Sequence, residues 1–139
     1  MEITANAIQT VNANQNVLFT EVVIDGNCSI VHRQGSGLVS LKGLTGQCRA
    51  RYKVTFGGNI AIPTGGTVEA ISLALALDGE PVATTSMIVT PAAVEEYSNV
   101  FSAIYIDIPK GCCSTVSVEN ISTQAIEVQN ANLIVERFA

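Results

Sequence analysis

The sequence predicts an all-β protein, with about eight strands that suit a two-sheet antiparallel sandwich or jelly roll. Three observations carry this expectation. Turn residues interrupt the 139-residue chain at short intervals, no window sustains an apolar repeat at helical spacing, and several segments alternate between apolar and polar residues. Charge is also scarce, with 14% of residues charged and 47% hydrophobic, against about 25% charged in an average soluble domain. A mass of 14.6 kDa suits one domain, with a folded surface of roughly 6,900 Å². So charge-poor a small domain is expected to bury part of that surface against another subunit. The composition excludes disorder, a coiled coil and a typical nucleic-acid binder.

Residues 1–16 are rich in Asn, Gln, Ala and Thr, with Glu2 their only charge. They are expected to form an extended arm ahead of a domain spanning residues 17–139. This stretch has neither the basic cluster nor the apolar run of a secretory signal, so folding in the cytoplasm is expected. The longest apolar segment, residues 68–77, contains Glu69 and Ser72 and is too short to span a bilayer. Residues 17–24 read as a strand closed by Asp25-Gly26-Asn27, and short strands over 29–33 and 38–42 flank Gly35-Ser36-Gly37. From 48 to 56 the alternation is clear. Ala50, Tyr52, Val54 and Phe56 claim one face and Arg49, Arg51, Lys53 and Thr55 the other, the period of a half-buried strand.

Residues 67–77 alternate by size instead of polarity. Ile71, Leu73, Leu75 and Leu77 form a large row that should fill the core, ending at the hairpin signal Asp78-Gly79. The small row, Ala70, Ser72, Ala74 and Ala76, is expected to be a second buried face against another copy of the chain. Further strands are expected over 82–90, 98–108, 112–119 and 126–138, separated by Pro91-Ala92-Ala93 and Pro109-Lys110-Gly111.

The charges divide unevenly. Residues 1–53 hold five basic side chains against three acidic ones, and residues 54–139 hold two against nine. Head-to-side packing of like subunits, or contact with an acidic partner, accounts for such asymmetry. Arg49, Arg51 and Lys53 are the candidate partner-contact residues, through an acidic surface, an anionic glycan, or the acids of a neighbouring copy. No aromatic residue of the single-stranded nucleic-acid type interleaves with them on that face.

Catalytic chemistry is not expected. His32 is the only histidine and has no acid within six residues to orient it. Glu95-Glu96 follows a Pro-Ala-Ala turn and reads as a solvated loop, and no Gly-rich piece continues into the Lys-Ser/Thr of a phosphate loop. No cofactor is implied. Cys28, Cys48, Cys112 and Cys113 lack the Cys-x-x-Cys spacing of a zinc ribbon, and no metal site is expected. Buried thiols, a Cys28–Cys48 disulfide and bridges between subunits all remain open.

Three segments carry a family resemblance. VEAISLALALDGEPV (68–82) resembles the strand-turn-strand of tumour-necrosis-factor-like jelly rolls, and QCRARYKVTF (47–56) their preceding aromatic strand. The ending VSVENISTQAIEVQNANLIVERFA (116–139) is similar to the last two strands of bacterial and phage members, with Val118, Asn120, Ser122, Ile126, Val128, Asn130, Ala131, Leu133 and Val135 in the matching positions. That branch includes exosporium collagen-like glycoproteins and small prophage head proteins of gut Firmicutes. The resemblance implies a homotrimer with one sheet of each subunit facing the threefold axis. It further implies a structural protein of a tailed-phage virion, decorating the capsid or forming part of a head fibre. The chain lacks the collagen-like stalk of the exosporium proteins. The alternatives are a receptor- or glycan-binding head domain and a bacterial spore or cell-surface protein.

Overall fold

Alternation decides which side chains are sealed. Ala50, Tyr52, Val54 and Phe56 are all fully buried, while Arg49, Arg51, Lys53 and Thr55 point outward. The computed structural model describes residues 1–44, 46, 48–111 and 113–138. In these residues the strands are β1 (Glu2–Ala5), β2 (Gln9–Val11), β3 (Glu21–Ile24), β4 (Ile30–His32), β5 (Val39–Lys42), β6 (Arg49–Ala61), β7 (Ile71–Leu77), β8 (Glu80–Pro81), β9 (Met87–Val89), β10 (Ser98–Pro109), β11 (Cys113–Asn120) and β12 (Ile126–Arg137). They pair antiparallel in two sheets. One runs β10-β6-β12-β1-β3 with β2 also on β12, and the other runs β4-β5-β11-β7-β8 with β9 also on β7.

The inner faces of the two sheets share one core. Tyr52, Phe56, Leu133 and Val135 from the first pack with Leu41, Leu73, Leu75, Val116 and Val118 from the second. Tyr52 ties the layers together, because its buried phenol donates to the Lys42 carbonyl of β5 at 2.5 Å. At the far end Asn120 is fully buried. Its Nδ2 donates to the carbonyls of Val11 (2.9 Å) and Gln124 (3.0 Å) while its Oδ1 accepts from Ser122 N–H at 2.9 Å. One side chain thus joins β11, β2 and the turn before β12. The surface area of 6907 Å² is that of a well-folded single chain of this mass.

The expected strand over 82–90 is shorter: a 3₁₀ turn (Ala83–Thr85) precedes β9. The start of the strand expected at 112 lies outside the described residues. The arm expected over residues 1–16 is corrected. β1 lies between β12 and β3, β2 pairs with β12, and Ile3, Ala5 and Val11 belong to the core. Ile3 and Ala5 alternate inward, and their backbones complete hydrogen bonding that β12 and β3 would otherwise lack. Deleting residues 1–5 should therefore lower stability by more than about 3 kcal/mol, since burial of one isoleucine alone contributes about 1.5–3 kcal/mol. Urea denaturation checks this. A deletion variant as stable as the full chain would return these residues to a dispensable arm.

Candidate assembly face

The outward face of the β10-β6-β12 sheet gathers the most unusual side chains of the surface. Register places Asp107 opposite Arg51, Tyr105 opposite Lys53, Ala103 opposite Thr55 and Phe101 opposite Gly57. On the other side of β6, β12 brings Asn132, Ile134 and Glu136 to the same face. Phe101 is 66% exposed and Tyr105 and Phe138 are each 56% exposed. Large aromatic side chains standing in water on one flat face are characteristic of a surface that meets another protein.

At one end of this face the charges and rings form a cleft of 370 Å³ lined by Arg51, Tyr105, Asp107 and Phe138. Arg51 donates to Asp107 through both Nε (2.8 Å to Oδ1) and a terminal nitrogen (3.0 Å to Oδ2), the bidentate geometry a guanidinium favours. Hydrogen bonding to Arg51 holds the Asp107 carboxyl below its usual range, and the same hydrogen bond raises Arg51. Arg49 stands 3.8 Å from the same carboxylate. Tyr105 meets Phe138 edge to face at a centroid distance of 5.6 Å, and the Lys53 ammonium lies 6.0 Å from the Tyr105 ring. A hydrogen bond from Phe138 N–H to the Arg51 carbonyl, 2.7 Å, holds the chain end against β6.

Gly57 lies at the centre of the face. Its φ is not in the left-handed region, and a Cβ added there would meet nothing within 4 Å. The fold of one chain therefore does not require glycine at this position. Gly58 beside it is constrained, since its Cβ would stand 3.2 Å from the Phe56 ring. β12 shifts register opposite this stretch, between Gln129 and Asn132, and a glycine inside a strand marks such a bulge or leaves room for the close approach of another group.

The candidate residues from the sequence divide sharply. Arg49, Arg51 and Lys53 lie on this face, and Arg51 has its acidic partner within the chain. Of the expected interface row Ala70, Ser72, Ala74 and Ala76, Ala70 is exposed and Ser72 half-buried, while the last two are sealed within the chain. Ala70 precedes β7, Ser72 gives its N–H to Ser122 Oγ at 2.7 Å, and Ala74 and Ala76 are 0% and 1% exposed in the single chain. Ala74 stands opposite Glu119, and Ala76 between Ser117 and Pro81, and both are covered within the single chain. Cys28 and Cys48 carry separate exposed thiols, so neither the buried-thiol expectation nor a Cys28–Cys48 bridge describes them. Cys113 is exposed and Cys112 lies outside the described residues. His32 is half-buried, with Nε2 bonded to the Ser36 carbonyl at 2.9 Å and the ring edge-on to Phe19.

No family model and no curated protein matches the chain. Among solved structures it is similar to the globular domain of zebrafish complement 1qA protein, at 15% identity and TM-score 0.63, covering 96% of this chain and 93% of that one. It also matches the EclA C-terminal domain, described as a sugar-binding protein, at 17% identity and TM-score 0.45, covering 95% and 79%. A family 35 carbohydrate binding module from Clostridium thermocellum follows at 10% identity and TM-score 0.35, covering 92% and 98%. The first likeness establishes the fold as a tumour-necrosis-factor-like jelly roll. It does not reach to the phage or exosporium branch, and the other two are too distant to bear on a ligand.

Proposed function

We propose that this protein is a structural assembly module, a homotrimer whose subunits meet on the outward face of the β10-β6-β12 sheet. The exposure of Phe101, Tyr105 and Phe138 around the open Gly57 position carries this reading, and the sequence resemblance supplies the number three. Symmetric packing removes the aromatic rings from water and brings the basic side chains of β6 close to acids of a neighbouring copy, Glu2 and Glu136 among them. The module acts by assembly and by display of its loops, with no catalytic step and no cofactor. Its setting is the virion of a tailed phage, as capsid decoration or head fibre, a role that copurification with capsids in fixed stoichiometry tests.

Gly57→Glu separates assembly from folding. The added side chain meets nothing in the single chain, so the variant should melt as a subunit much like the wild type. It should lose the oligomer, because a carboxylate enters the centre of the interface. A Gly57→Glu protein that keeps the wild-type mass on light scattering removes Gly57 from the contact.

A second reading has one specific observation behind it. The cleft at Arg51, Asp107, Tyr105 and Phe138 offers an aromatic surface for a sugar ring beside a guanidinium and a carboxylate for its hydroxyls. A glycan-binding head would use that cleft as a monomer. Binding on a glycan array that is lost in Tyr105→Ala would favour it over assembly.

A further inference from the structure

Glu95 lies at the other end of β6 from the aromatic cleft, in the loop between β9 and β10. Its φ of 59° is left-handed, uncommon for any residue but glycine, asparagine and aspartate. Three hydrogen bonds hold it there. Its N–H donates to the Ile62 carbonyl at 2.8 Å, and its Oε1 accepts from both the N–H and the hydroxyl of Thr64 at 3.0 Å each. The loop is thereby fastened to the chain leaving β6.

Glu127 is set beside this loop: β12 places it opposite Ala61, next to the Ile62 carbonyl that Glu95 meets, and each of the two carboxyls perturbs the other's titration. Glu127 Oε2 accepts a long bond of 3.4 Å from the Tyr97 hydroxyl, while Oε1 is buried and receives no donor. Two adjacent carboxylates cannot both ionise without cost. Among the described residues no cation relieves them: residues 54–109 contain no Lys, Arg or His, and neither do β1, β2 or β12 before its last residue. β2 presents Thr10 opposite Glu127, and on the loop itself only Glu96 and Tyr97 also titrate. The buried orphan oxygen gains a partner once it carries a proton, since a protonated Glu127 donates to Glu95.

We propose that Glu95 and Glu127 share one proton, and that this proton is a pH-sensitive latch fastening the loop before β10 to the sheet. Glu95 is the ionised member, because Thr64 donates to it twice, and Glu127 is the protonated one. The titration directions agree. The hydrogen bond to Glu95, then burial, raises Glu127, and the hydrogen bonds from Glu127 and Thr64 lower Glu95. A raised acid stabilises the fold fully below its unfolded value, about 4.3 for Glu, and loses that contribution as pH climbs through its folded value. A lowered acid contributes above the unfolded value and loses its share as pH falls through the folded one. The latch is therefore closed across the ordinary carboxylate range and opens as pH rises beyond it.

Amide hydrogen exchange at Thr64 and Glu95, corrected for intrinsic rates, tests this between about pH 4.5 and pH 8. Protection in the wild type should fall by about tenfold or more as the shared proton is lost. In Glu127→Gln the side-chain amide donates at every pH, so protection should stay flat. Equal pH dependence in both proteins, or none in the wild type, overturns the proposal. Should Glu127→Gln fail to fold, carboxyl ¹³C titration of the wild type decides: one of the two residues must titrate above the usual Glu range. Two ordinary titrations near 4.3 would eliminate the shared proton.

Discussion

A Phe101→Asp, Tyr105→Asp double variant is expected to behave as a folded monomer. Both rings stand in water in the single chain, and neither belongs to the core cluster. Their replacement removes no core packing, so the circular dichroism spectrum should persist. In the proposed oligomer both positions enter the contact, and aromatic residues buried at an interface contribute about 2 kcal/mol or more each. Two together should weaken association by about a thousandfold, and a carboxylate forced into an apolar contact adds to the loss. Sedimentation equilibrium over a concentration series reads the change directly. A double variant with undiminished self-association would place the contact on another face.

Asn120→Leu should cost a large share of the protein's stability. Asn120 satisfies the Val11 and Gln124 carbonyls and the Ser122 N–H, all within a side chain that is fully buried. Leucine fills similar volume but leaves three backbone groups without partners, at about 1–3 kcal/mol each. A loss of at least about 3 kcal/mol follows, a large share of the 5–15 kcal/mol typical of a domain. Ser122→Ala serves as the milder comparison, because it removes only the bonds to the backbone of Ser72, 2.7 and 3.1 Å long. Urea denaturation of the two variants should rank them in that order. Equal stability of Asn120→Leu and wild type would mean that water replaces the side chain freely, and that this end of the sandwich is open.

The sheets were legible wherever large apolar residues alternate, as in β6 and along Ile71, Leu73 and Leu75. β1 was not, because Ile3 and Ala5 are the only inward residues of a four-residue strand inside a polar stretch. Its place depends on hydrogen bonds to β12, more than a hundred positions away, which no local pattern reveals. The small row of β7 illustrates a different difficulty. Ala74 and Ala76 are covered within the single chain, so a row of small side chains does not distinguish an interface from a surface the chain covers itself. The better signal lay in β10, where Val100, Ile106 and Ile108 fill the core while Phe101 and Tyr105 face outward. A strand with large apolar residues on both faces has two surfaces to bury. Arg51 was placed correctly on the outward face, but its partner Asp107 is 56 positions away and only register brings them together. Glu95 is exposed in its loop as expected, and only register places Glu127 of β12 beside that loop.

The mass of the wild-type protein in solution tests the central claim most directly. Light scattering coupled to size exclusion at micromolar concentration should give three times the 14.6 kDa chain mass, insensitive to moderate salt because burial of aromatic rings, not exposed charge pairing, holds the contact. A mass of 14.6 kDa at every accessible concentration would contradict the account.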